Sequence, residues 1–371
     1  MKKLLFFLII LAAATGGVFY ARHRIAGISL TIAPARSKKT SPIRFGGTFR
    51  YAAGTSKEAI DAQLALLEQL GIRTIRTIYY DCGNANWFTD DELLAAAKKH
   101  NIDVVFILEP RIDLKKAVKT SDLPIGATDC GSKTIGNQKG TGTVNLEQFG
   151  YDYAKEIVTK YKDQVTYWQL LNEIGGTAMT GNADGRDPAQ FDKAIYGRLR
   201  AFLKGAAAGV RDGDPKAQRI INNQWLHVGM LDLIAQDKIP FEIIGWNWFV
   251  DKQDMQKVEY APGQYFDLIA ALKARKQTTG AKEIWLSEFD RDHGSYQQRG
   301  NDQATYLKTK LPQLIDTKTF SGIFIHELFD KPEEKLDQDK HWGIIEVATN
   351  PVLKLTPKPA AAAVSELIKK N

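Results

Sequence analysis

The chain has 371 residues, 44% hydrophobic and 25% charged, with only two cysteines. These proportions are those of a globular protein and exclude disordered, collagen-like and disulfide-scaffolded chains, while the length suits two medium domains or one large α/β barrel. The formal net charge of +7 is the one unusual figure, and taken globally it invites a nucleic-acid role.

The excess charge has a location. Lys2, Lys3, Arg22, Arg24, Arg36, Lys38, Lys39 and Arg44 precede the first acidic residue, Glu58. The remainder is close to neutral and has no Lys/Arg-dense run interleaved with aromatics, which argues against nucleic acid as a partner. Leu4 to Ala21 is uncharged, at the short end for a spanning helix of about 20 residues and longer than the roughly 7–15 of a signal-peptide core. It reads as an export segment. An uncleaved anchor is favoured over a cleaved signal, because no clean small-residue cleavage site follows. The basic residues after it run against the positive-inside rule for an exported body. The expected organisation is a signal anchor or signal peptide over 1–24, a basic linker over 25–43 and one folded domain over 44–371. The expected location is extracytoplasmic, either anchored in the inner membrane facing the periplasm or cell surface, or secreted.

From Arg44 onward, short apolar runs alternate with helical periodicity. A strand over 44–51 is followed by the amphipathic AIDAQLALLEQL, with a capping box expected from Thr55 and Glu58 and a stop at Gly71. A strand over 72–80 precedes the helix DELLAAAKKH, whose capping box is Thr89 with Glu92 and whose stop is Asn101. The third strand, 102–109, leads into a non-periodic stretch, Pro110 to Val144. Further strands are expected at 165–173, 218–225, 241–249, 282–288 and 321–329. Eight strands with intervening helices argue for a single (β/α)8 barrel of the TIM type. A doubly wound open sheet is disfavoured, since Gly46-Gly47 is not a dinucleotide-binding turn.

Barrel enzymes take their reactive groups from the C-terminal ends of strands, which makes those ends a short list. It contains Glu109, Asn172-Glu173, Trp225, Trp248, Glu288 and Glu327. Glu173 ends the fourth strand and Glu288 the seventh, so barrel closure would make them face each other across the mouth. Two facing carboxylates are what glycoside hydrolysis needs, one to protonate the leaving oxygen and one to attack the anomeric carbon or activate water.

At these residues the chain resembles the clan A retaining glycoside hydrolases, in which the fourth strand ends in Asn-Glu and the seventh in Glu. The closing segment HWGIIEV…LKLTPKPAAAAVSEL is also similar to the end of families 5 and 39. The resemblance implies a (β/α)8 barrel with Glu173 as general acid/base and Glu288 as nucleophile. It further implies that Asn172 bonds the sugar 2-hydroxyl and that Arg76 orients the nucleophile. The chain departs from the pattern in two places. His326, with Glu327 beside it, stands where the clan commonly has an aromatic at the end of strand eight. Strand six offers Asn247, Trp248 or Phe249 where a Tyr usually approaches the nucleophile.

Alternation puts Trp168 and Trp285 on the face opposite Glu173 and Glu288, towards the surrounding helices and so in the core. Trp87, Trp225, Trp246, Trp248 and Trp342 lie at or beyond strand ends, where some would meet substrate. Glu109, Trp225, Asn247, Trp248, His326 and Trp342 join Arg76 and Asn172 as candidate substrate contacts. Cys82 and Cys130 fall in neighbouring loops and are a candidate disulfide, with two free thiols as the alternative. The histidines show no ligand spacing with Cys or carboxylates, so neither metal nor cofactor is expected. The expected partners are an oligo- or polysaccharide and, through the N-terminal segment, a membrane. The expected function is retaining hydrolysis of a β-linked glycan, with a non-catalytic glycan-binding barrel assisting polysaccharide export, or a transglycosylase, as rivals.

Overall fold

The computed structural model describes residues 43–51, 55–79, 89–110, 112–119, 142–296, 300–348 and 353–371. The expected anchor, most of the basic linker, Trp87, Cys82 and Cys130 lie outside the described residues. No helix among the described residues is long and apolar enough to cross a membrane.

All eight expected strands are present. In chain order the elements run β1 (Arg44–Thr48), α1 (Lys57–Leu70), β2 (Thr74–Ile78), α2 (Asp90–Lys99), β3 (Asp103–Leu108), α3 (Leu146–Lys160), β4 (Tyr167–Leu170), the short α4 (Ile174–Ala178) and α5 (Lys193–Gly213). They continue with β5 (Gln218–Gln224), α6 (Val228–Gln236), β6 (Ile243–Trp248), a hairpin of β7 (Val258–Ala261) and β8 (Gln264–Phe266), α7 (Leu268–Thr279) and β9 (Glu283–Phe289). After α8 (Gly300–Asp316) and β10 (Gly322–Ile325) come a second hairpin, β11 (Ile345–Ala348) with β12 (Lys354–Pro357), and the closing α9 (Pro359–Lys370). The barrel closes in the order β1-β10-β9-β6-β5-β4-β3-β2 with every pairing parallel. The seventh and eighth barrel strands are therefore β9 and β10, because the β7–β8 hairpin is an insertion after β6.

Local signals set several boundaries. Thr89 and Glu92 form the expected capping box of α2. At α1 the cap is Ser56 rather than Thr55, its hydroxyl accepting from the Ala59 N–H. A serine one residue on can meet the orphan N–H equally well, so sequence does not rank the two. Gly71 ends α1 at φ 84°, a left-handed conformation open to glycine without strain.

Barrel register decides which side chains point inward. Val105, Ile220, Ile243, Trp285 and Phe324 form a buried cluster of their own, separate from the larger core between strands and helices. Nearer the N-terminal end, Arg44 caps this plug, donating to Asp103 at 2.6 Å and to the Tyr167 hydroxyl at 3.0 Å. Arg44, counted above with the tail's charges, thus belongs to the barrel.

Trp285 corrects one expectation. It is core, as expected, but it sits inside the barrel, 5.3 Å from the Phe324 ring, rather than against the helices. The cause is a β-bulge. Trp246 pairs with Leu286, but the next residue, Asn247, pairs with Glu288, leaving Ser287 as an extra residue in β9. The bulge resets the alternation, so Trp285 and Glu288 share the inward face. Trp168 does face outward, packing 5.7 Å from Phe106 in the outer core.

Candidate active site

The C-terminal mouth of the barrel gathers charged groups that the apolar plug below cannot solvate. Arg76 stands at the centre, 2% exposed, on the inward face of β2. Its guanidinium donates from Nε to Gln169 Oε1 at 2.7 Å, from Nη2 to Asn172 Oδ1 at 2.6 Å, and from Nη1 to Glu288 Oε1. A planar fork of fixed donors can order three acceptors at once, and Arg is suited to this. Glu288 is 3% exposed. Burial pushes its carboxyl up, but the charges of Arg76 and His326 outweigh burial and hold it well below the usual carboxylate range. His326 follows β10, with Nδ1 2.9 Å from Glu288 Oε2.

Glu173 is built differently. β4 ends at Leu170, three residues earlier than expected, and the chain then turns sharply through left-handed conformations at Leu171 (φ 62°) and Glu173 (φ 47°). Non-glycine residues in this region cost of order 1–3 kcal/mol each and persist only where the surroundings impose them. Here the imposition is visible: the Glu173 N–H donates to Asn222 Oδ1 at 2.8 Å, and the Gly175 N–H to Asn223 Oδ1 at 3.1 Å. The Glu173 carboxylate meets only neutral donors. Asn247 Nδ2 donates to Oε1 at 2.9 Å, and the Gln224 amide, oriented to satisfy both groups, donates at 2.9 Å to both oxygens. Burial first and the Glu288 charge second raise its carboxyl above the ordinary value, against the smaller pull of Asn247, Arg76 and His326. Glu109, just past β3, is raised too: burial dominates, Arg76 and Arg50 oppose it, and Glu288 adds to it.

The fold thus brings Arg76, Glu109, Asn172, Glu173, Asn247, Glu288 and His326 into one cluster. Trp342 joins its edge, its ring 5.0 Å from His326 and nearly perpendicular. Trp248 stands apart. It is 2% exposed, stacked 5.5 Å from Trp225, and lines a cleft outside the barrel wall with Met255, Phe289 and Tyr306. Alternation explains this: Asn247 takes the inward position, so its neighbour turns out. Trp225 is half-buried on that stack, and its carbonyl accepts from Trp246 Nε1 at 3.0 Å.

Gln169, Asn222 and Gln224 are site residues that strand-end reasoning missed. Each holds an inward position near the top of its strand, which only the register between strands reveals. Among the described residues no group of His, Cys, Asp and Glu could hold a metal ion.

By sequence the chain matches no protein-family profile and no curated protein. Solved structures do match. A family 1 β-glucosidase from Thermotoga maritima superposes with a TM-score of 0.56 at 14% identity, over 85% of this chain and 87% of that one. A family 39 glycoside hydrolase from the gut symbiont Bacteroides cellulosilyticus WH2 gives 0.58 at 12% identity, over 88% of this chain and 63% of that one. The chain shares their barrel. At such identities the likeness establishes the fold, and the chemistry rests on the site itself.

Proposed function

We propose that this protein is a retaining glycoside hydrolase that cleaves a β-linked glycan by double displacement. The observation that carries the reading is the opposed environment of two carboxylates at one barrel mouth. Arg76 and His326 hold the Glu288 carboxyl well below the usual range, whereas Glu173 meets only neutral amides and has a raised carboxyl. Groups whose surroundings push their protonation apart in this way are suited to separate acid/base and nucleophile roles.

In the first step Glu173 gives its proton to the glycosidic oxygen as the bond to the anomeric carbon breaks, and Glu288 forms a bond to that carbon. Glu173, now a carboxylate, then takes a proton from the water that displaces Glu288. Arg76 holds Glu288 throughout and fixes Asn172, which would contact the sugar ring. Glu109 and Trp342 border the same space. The protein would work outside the cytoplasm, held to a membrane or exported by its apolar N-terminal segment.

Incubation with 2-fluoro activated glycosides followed by intact-mass measurement tests the mechanism. The expected result is one covalent sugar on the wild type and none on Glu288→Gln. A Glu173→Gln variant should still form the adduct from a substrate whose leaving group needs no protonation, and should release it slowly. No adduct across a broad sugar panel would favour a non-catalytic glycan-binding barrel. Release faster to sugar acceptors than to water would favour a transglycosylase.

A further inference from the structure

The glycosidase reading requires both oxygens of the nucleophile to be held, since a carboxylate free to rotate or to share a proton attacks poorly. Arg76 holds one. Strand β6 cannot hold the other: Asn247, its last inward residue, accepts from Asn222 Nδ2 at 2.9 Å and donates to Glu173, while Trp248 and Trp246 are buried in the outer core. The group that meets Glu288 Oε2 comes from after β10 instead. His326 Nδ1, buried and with no hydrogen bond elsewhere among the described residues, lies 2.9 Å away.

We propose that His326 is the positioning residue of the nucleophile, its Nδ1 set against Glu288 Oε2 so that formation of the glycosyl-enzyme depends on this contact.

The proposal rests on the glycosidase reading for its kinetic consequences but not for the contact. Three features support it. The His326 side chain is only 13% exposed, so it is a fixed part of the wall. Its ring is held between Phe249, 4.7 Å away, and Trp342, 5.0 Å away, two aromatics that cannot compete for Nδ1. Trp342 is in turn tied down. Gln303 Nε2 bonds its carbonyl at 3.1 Å, and the next N–H, from Gly343, donates to Asp330 Oδ1 at 3.0 Å, where Lys358 Nζ also binds at 2.7 Å.

Glu173, across the mouth, is one of the charged groups that the imidazole faces. Glu288 faces it from β9, and Arg76 reaches the same carboxylate from β2. On its own segment, Glu327 Oε1 lies 3.9 Å from His326 Nε2, and that carboxylate is contacted by Lys331 Nζ at 3.1 Å and by Arg50 Nε at 3.3 Å. Glu327 is thus compensated by two other cations, and Glu288 is the nearer anion to the imidazole. When Glu288 becomes the glycosyl ester its charge is lost, and Nδ1–H can still donate to the remaining carbonyl oxygen. The contact therefore serves both halves of the reaction without proton transfer.

The test combines two variants with two readouts. His326→Ala should slow glycosyl-enzyme formation by about 10²–10³-fold, the range seen when one oriented donor at a reacting oxygen is removed. His326→Gln, whose amide can donate to the same oxygen, should recover at least tenfold of this loss, a rescue that a merely structural role would not give. The second readout is independent of activity. The imidazole resonances of His326, followed by NMR at one pH and assigned by their absence in His326→Gln, should move in Glu288→Gln, because the ring faces that carboxylate. A wild type that forms the adduct, with both variants equally slowed and the His326 resonances unmoved by Glu288→Gln, would overturn the proposal. A wild type that forms no adduct but shows the shift would sink the glycosidase reading and leave the contact standing.

Discussion

At the scale of single residues, two carboxylates on one barrel mouth behave differently because of their neighbours. Glu288 has Arg76 on one oxygen and His326 on the other, and Glu173 has amides. This has a consequence for stability that is separate from catalysis. A carboxyl raised in the folded state above its unfolded value stabilises the fold fully only below the unfolded value, and that contribution is lost as pH rises through the folded value. For Glu173 the loss begins above about pH 4.3. Glu173→Gln should therefore melt higher than the wild type at pH 7, with the gain shrinking to nothing below about pH 4, by about 1.4 kcal/mol for each pH unit of displacement. Thermal melts at a series of pH values check this, and a gain that grew in acid would contradict it. Arg76, Glu173 and Glu288 were legible as residues of interest because strand ends are countable. Their partners Gln169, Asn222 and Gln224 were not singled out, since an inward amide and an outward amide look alike until the register is known.

At the scale of elements, the bulge in β9 is the decisive local event. Strict alternation would put Trp285 and Glu288 on opposite faces, and the extra Ser287 places both inward. Room for it comes from Gly245 on β6, where an added Cβ would lie 2.4 Å from Ser287 Oγ and 3.1 Å from Ile220 Cγ2. Gly245→Ala should therefore destabilise the fold by about 1–3 kcal/mol, the usual cost of overpacking, and reduce adduct formation at Glu288. Ser287→Gly in the same chain should restore part of both. Urea denaturation of the wild type and the two variants measures the first effect; equal stability in the single and double variants would remove the bulge as the cause. The turn after β4 follows the same lesson. The apolar run VTYWQLLNE reads as strand to its end, yet Leu171 and Glu173 leave the extended region because Asn222 and Asn223 on β5 bind the backbone there.

At the scale of the whole molecule, closure makes the first barrel strand a neighbour of the last, so Arg50 after β1 meets Glu327 after β10. The barrel begins at Arg44, which is bonded into its floor. If the apolar segment is the membrane attachment, a chain lacking residues 1–40 should move from the membrane fraction to the soluble fraction on cell fractionation, with thermal melting and glycoside turnover unchanged. Retention in the membrane fraction would assign the attachment to the barrel itself.

Sequence alone determined the number and order of the barrel strands, the caps at Thr89 and Gly71, the sequestration of positive charge before the body, and the two carboxylates worth watching. These follow from periodicity, composition and local hydrogen bonding, which act over a few residues. Tertiary structure decided which oxygen of Glu288 meets Arg76 and which meets His326, that strand six serves Glu173 instead of the nucleophile, and that Trp248 faces away while His326 faces in. Each of these depends on register between strands far apart in the chain. A one-residue bulge reverses a face, and no local pattern records it.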